Sequence, residues 1–138
     1  VDIIADGSFK GQQVVTGGAL PTDLAIAASA IEIGLHYKSK CVTMRPALQD
    51  AMIEGLPRKW NNVTLRMKRS LGGKVNGEDL DFSKGGQPMD HAPSLFEGAV
   101  ECKGTDSDKV GKVTIEQDQP YPQEILCMFG ELAVGDRQ

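Results

Sequence analysis

Aromatic side chains are scarce in this chain, with one Trp, two Tyr and four Phe among 138 residues. Only Trp60 flanks a basic run, so the row of base-stacking rings that marks an RNA-binding sheet is excluded. Histidine is rarer still (His36, His91), and the three cysteines, Cys41, Cys102 and Cys127, stand about 60 and 25 residues apart without a CxxC pair. Metal and redox sites need closer spacing, so neither a metal nor a cofactor is expected. An odd thiol count without a framework fits a reducing cytoplasm, in which each Cys acts as a small buried apolar group. No apolar run reaches the roughly 18 to 20 residues of a membrane span, and the amino end lacks the charged-then-apolar layout of a signal peptide. The chain reads as soluble, without membrane partners. It opens at Val1 directly on a strand-like run, which reads as a fragment or processed product of something longer.

Catalytic motifs are missing as well: there is no GxSxG, HExxH, P-loop or GxGxxG. Asp79 and Asp81, two apart, are the nearest thing to an acid pair, but a pair of this kind works only in a cleft that separates the two pKa values. The Asp106-Ser107-Asp108 turn lacks the ligand ladder of a calcium loop. The expected class is therefore non-enzymatic, with no catalytic residues assigned.

Glycine (16) and proline (7) are plentiful, and β-branched residues fall in short runs, which suits strands joined by tight turns. Asp6-Gly7 predicts a hairpin between strands near 1–5 and 8–16, since Gly accepts the positive φ of a tight turn. Residues 17–24 read as a turn-rich connection, and the Ala-rich 25–30 is too short to sustain a helix unaided. Ile31, Ile33, Leu35 and Tyr37 alternate with Glu32, Gly34, His36 and Lys38, the pattern of a half-buried strand with His36 in solvent. Cys41 to Met44 extends it, and 46–55 allows one short helix with Pro46 at its start and Gly55 at its end, or else a long loop. Val63, Leu65 and Met67 oppose Thr64, Arg66 and Lys68 in a second amphipathic strand over 62–70. Asn76-Gly77 predicts another tight turn, Ser83–Pro93 an exposed loop, and strands follow over 95–102, 110–117 and 124–129, the last after a Pro120-Tyr121-Pro122 corner.

The net charge of −4 is unevenly placed. Six bases (Arg58, Lys59, Arg66, Lys68, Arg69, Lys74) and no acids lie between Gly55 and Gly77, whereas thirteen acids face five bases from Glu78 onward. Opposed patches suit copies mating head to tail in a ring, or a polyanion. A solvated strand face beside acidic loops explains the same pattern. The candidate interface residues are Arg58, Lys59, Arg66, Lys68 and Arg69.

Several segments carry a resemblance in order along the chain. They are Asp6-Gly7; the strand Ile31-Glu32-Ile33-Gly34-Leu35-His36-Tyr37-Lys38-Ser39; Gly55 with Arg58-Lys59; the strand Val63–Ser70; Leu95-Phe96-Glu97-Gly98; and the Gln119-Pro120-Tyr121-Pro122 corner. Together they resemble the carboxyl-terminal region of the tail nozzle proteins of short-tailed phages (podoviruses), also called tail tubular B or packaged-DNA stabilisation proteins. His36 and Leu56-Pro57 depart from the pattern. The resemblance implies a structural subunit of a longer chain that forms a sixfold ring below the portal and adaptor. Such a ring meets other tail proteins, retains DNA and conducts it without specific binding. It also implies assembly in the bacterial cytoplasm and residence in the virion tail.

The expectation is thus one all-β domain over 1–138, an antiparallel sandwich or barrel of about seven to nine strands with at most one short helix. Two alternatives come from other classes. One is a carbohydrate-binding β-sandwich module using Trp60, Tyr37 and Tyr121 as its aromatic platform. The other is a small β-barrel hydrolase built around His36 or His91.

Overall fold

The computed structural model describes residues 1–20, 28–47, 55–82, 92–105 and 110–135. Within them lie ten strands and no helix: β1 (Asp2–Ala5), β2 (Ser8–Gln12), β3 (Ile31–Gly34), β4 (Ser39–Val42), β5 (Arg58–Ser70), β6 (Lys74–Val75), β7 (Glu78–Asp79), β8 (Phe96–Lys103), β9 (Thr114–Gln117) and β10 (Glu124–Val134). They form three antiparallel sheets, ordered β10-β5-β8, β4-β9-β6-β7 and β2-β1-β3, none of which closes on itself. The protein is all-β, and of the two expected forms it takes the open one. Residues 48–54 of the possible helix, most of the 83–93 loop, His91 and the Asp106–Asp108 turn lie outside the described residues, as do residues 25–27 of the Ala-rich run.

The core lies between the first two sheets. Val63, Leu65 and Met67 on β5 and Val100 on β8 pack against Val75 and Ile115 of the facing sheet and Val113 just before β9, and all seven are buried. The alternation of β5 dictates this, because every second side chain points to one side of a strand. Two tight turns also follow their sequence signals: Asp6-Gly7 takes φ of 46° and 78°, and Asn76-Gly77 takes 52° and 83°.

Bulges interrupt the long strands and decide what faces inward. On β5, Asn62 pairs with Glu131 and Trp60 with Leu132, so Asn61 is an extra residue. It reverses the parity of the strand below it. Trp60 and Arg58 turn inward as a result, and Arg58 is only 1% exposed, its Nη1 donating to the Pro46 carbonyl at 3.1 Å. A second extra residue between Met67 and Ser70, where Arg69 has φ of 46°, turns Ser70 inward too. Its hydroxyl exchanges hydrogen bonds with the Glu124 backbone.

The small β2-β1-β3 sheet meets the sandwich at the Pro120-Tyr121-Pro122 corner. The Phe9 N–H donates to the Tyr121 hydroxyl at 2.6 Å, and the two rings meet edge to face at 6.5 Å. Asp6 ties the same sheet to the start of β3, its carboxylate accepting the N–H groups of Ser29 and Ala30.

Candidate functional site: the exposed sheet faces

Of the five candidate interface residues, Lys59, Arg66, Lys68 and Arg69 are exposed, whereas Arg58 is interior and leaves the set. The cause is the Asn61 bulge, which the charge pattern does not signal. Sheet order also undoes the separation of charge seen along the chain. The basic strand β5 lies between two acidic ones: Lys68 sits opposite Glu124, and Thr64 and Asn62 on the same face sit opposite Glu101 and Glu131. This outer face is therefore a mixture of signs and not a basic stripe for a polyanion. Phe129, Leu126 and the exposed thiol of Cys127 lie along the same β10 strand.

A second charged face occupies the outside of the β4-β9-β6-β7 sheet. Lys40 pairs in register with Glu116, Glu116 with Lys74, and Lys74 with Asp79, so one row crosses four strands with alternating sign. Glu116 accepts from Lys38 at 2.8 Å and Lys40 at 3.0 Å, and Lys74 reaches Asp118 at 2.6 Å and Asp79 at 3.9 Å. The hydrogen bonds from Lys38 and Lys40 hold the Glu116 carboxyl below its ordinary range. The Lys74 hydrogen bond does the same for Asp118, and the Lys74 ammonium is raised in return. Depressed carboxylates contribute stability that is present above their unfolded pKa and lost as pH falls through the folded one. The raised lysine contributes stability that is present below its unfolded pKa and lost as pH rises through the folded one. The row is thus expected to contribute fully between about pH 5 and pH 10. Urea midpoints of the wild type and Glu116→Gln should differ across that window and draw together as pH falls below the ordinary carboxylate range. A difference that stays constant as the solution is acidified would refute the assignment.

The segment from Ile31 to Tyr37 departs most from expectation. Only Ile31–Gly34 is strand, and the apolar members of the alternation are not covered: Ile31 is 51% exposed, Ile33 53%, Leu35 86% and Tyr37 60%. His36 is exposed to solvent, as expected, but it has a partner. Its Nδ1 lies 3.0 and 3.2 Å from the two carboxylate oxygens of Asp2, a side chain only 4% exposed. The imidazole satisfies a buried carboxylate from β1, which is a structural task. His36→Ala leaves that carboxylate without its partner and is expected to cost about 1–3 kcal/mol in urea unfolding. Adding Asp2→Asn to the same chain should recover part of the loss, because the buried charge is then gone.

Among the described residues, several of the other chemistry-bearing groups are engaged within the fold. Asp79 and Asp81 border a cleft of about 130 Å³ with Glu78, Glu101 and Lys103, where Lys103 and Glu78 pair at 3.0 Å. The half-buried Cys102 thiol on that cleft is pushed up by burial and by the Glu101 charge, away from the nucleophilic thiolate. Cys41 and Cys127 are exposed, contrary to the expectation of buried thiols, because one lies on the edge strand β4 and the other on the open face of β10. Of the three rings considered for sugar binding, Trp60 packs on the core and donates to the Gly111 carbonyl at 2.9 Å. Tyr121 is engaged by Phe9, and Tyr37 is the exposed one.

Among the described residues no three of His, Cys, Asp or Glu are grouped to hold a metal ion, and no helix is long and apolar enough to cross a membrane. Asp2, Glu116 and Asp118 owe their environments to residues 34 to 78 positions away, a distance at which no local sequence pattern gives a signal. No protein-family model matches the chain, and no curated protein is significantly similar to it.

Proposed function

We propose that this chain is a structural, non-enzymatic β-module of a short-tailed phage tail, belonging to a nozzle subunit whose ring retains and conducts DNA. The observation that carries the reading is the uncovered apolar series Ile31, Ile33, Leu35 and Tyr37. A strand alternates when one side is to be covered, and an apolar series left open on an isolated chain marks a surface that other subunits cover. The mixed face around β5 supports the same role, since DNA passes a surface of both signs without being held. The resemblance of the ordered segments, from the Asp6-Gly7 turn to the Pro120-Tyr121-Pro122 corner, supplies the class of assembly.

The test is negative-stain imaging with mass photometry of the full-length protein, alone and in virions. A ring of about six subunits at the tail tip is expected. A dispersed monomer absent from particles would overturn the proposal and give first place to the carbohydrate-binding module, which a glycan array then examines.

A further inference from the structure

We propose that the β4-β9-β6-β7 sheet is a head-to-tail self-association surface, in which the β7 edge of one copy takes the β4 edge of a second copy as its next strand. Two independent regularities of the sheet lead to this pairing. The first is charge. The row Lys40, Glu116, Lys74, Asp79 alternates over an even number of strands, so the β4 rim ends in a cation and the β7 rim in an anion. Setting β4 of the next copy beside β7 continues the alternation, with Asp79 opposite Lys40. Joining two like rims about a two-fold axis in that row would put Lys40 against Lys40 or Asp79 against Asp79, and like charges directly opposite are destabilising.

The second regularity is strand direction. Each neighbour in the sheet is antiparallel to the last, so over four strands β4 and β7 run in opposite senses. A head-to-tail copy therefore presents β4 antiparallel to β7, and the hydrogen-bond ladder continues in the form it already has. Both rims are available for this: β4 is exposed along all four residues and β7 along both of its own. Among the described residues, neither edge is paired on its outer side.

The register follows from the row. With Asp79 opposite Lys40, Glu78 falls opposite the exposed thiol of Cys41, on the other face of the sheet. Two- and four-residue edges make a small contact, weak between two free copies and persistent only where several copies close on one another. A heterologous contact of this kind closes into a ring or extends into a filament according to the rotation between copies. The inference thus deepens the ring reading by naming its contact, and rests on that reading only for closure.

Cysteine cross-linking of the 138-residue chain tests the register directly. In a Cys102→Ser, Cys127→Ser background that leaves Cys41 as the native thiol, Glu78→Cys should oxidise to a ladder of dimers, trimers and higher species on a non-reducing gel. A ladder is expected because each copy carries one of each rim. Cys41→Ser should abolish it. Asp79→Lys should slow ladder formation at least about fivefold, and adding Lys40→Asp should restore the rate to within about twofold, since the pair is then reversed and not lost. No ladder, or a ladder indifferent to Cys41 or to the charge reversals, would overturn the contact. The two readings separate cleanly. Rings of the full-length protein without this cross-link would refute the contact alone, whereas the cross-link without rings on particles would refute the nozzle reading alone.

Discussion

Gly104→Ala is expected to destabilise the protein by about 3 kcal/mol or more and to lower Tm by more than about 10 °C. A methyl group at this position would fall on the backbone of β5: it would meet the Trp60 carbonyl, lying 2.6 Å from its carbon and 2.7 Å from the Asn61 oxygen. Those atoms belong to the main chain and cannot rotate aside as a side chain does. They also sit at the Asn61 bulge, where β8 ends. There the Thr105 N–H donates to the Trp60 carbonyl at 3.0 Å, and the Trp60 N–H returns a bond to the Thr105 hydroxyl at 3.1 Å. Forcing β8 away at this point strains both bonds and the inward placement of Trp60 and Arg58 that depends on the bulge. Gly34→Ala is the control, since an added methyl there meets nothing within 4 Å and its change should stay within about 0.5 kcal/mol. Equal melting temperatures for the Gly104 variant and the wild type would show that β8 does not approach β5 so closely.

Gln117 is expected to be nearly as sensitive, for a different reason. It is 3% exposed, and its amide donates to the Leu71 carbonyl at 2.9 Å and the Tyr121 carbonyl at 3.2 Å while accepting the Gln119 N–H at 3.3 Å. One side chain thereby joins the end of β9, the segment leading to Gly72-Gly73 and the corner that holds the small sheet through Tyr121. Gln117→Ala leaves interior backbone groups unpartnered and should cost about 2–4 kcal/mol. Gln117→Glu should be worse at neutral pH, because it sets a buried negative charge against two carbonyl oxygens. Burial raises the pKa of that carboxyl, so the excess loss is present at pH 7 and shrinks as pH falls and the acid regains a proton to donate. Urea midpoints of both variants from pH 7 to pH 5 check this. A Gln117→Glu defect that stays constant over that range would place the side chain in solvent.

What the sequence made legible is what depends on neighbours along the chain. The alternation of Val63, Leu65 and Met67 identifies both a strand and its buried side, and the Asp6-Gly7 and Asn76-Gly77 pairs identify their turns, because each signal lies within a few residues. Two kinds of information lie beyond it. An inserted residue such as Asn61 is defined only by the strand it pairs with, so the inward turn of Arg58 could not be read from a run of bases. The alternation of Ile31 to Tyr37 likewise states that one side is apolar but not what covers it, and in this chain those side chains remain exposed. Charge showed the same limit. The basic and acidic halves of the sequence interleave once β5 lies between β8 and β10, while the ordered row Lys40, Glu116, Lys74, Asp79 draws its members from four separate strands.

The bulges that redirect side chains also bear on how the molecule behaves at high concentration. β10 is an eleven-residue edge strand carrying exposed Leu126 and Phe129, the kind of rim on which straight strands stack into fibrous aggregates. The extra residue at Leu126 and its counterpart at Asn61 on β5 break the regular spacing at two points and increase the local twist, so no long flat template is presented. Irregularity that looks like imperfect pairing is, on this rim, a safeguard of solubility.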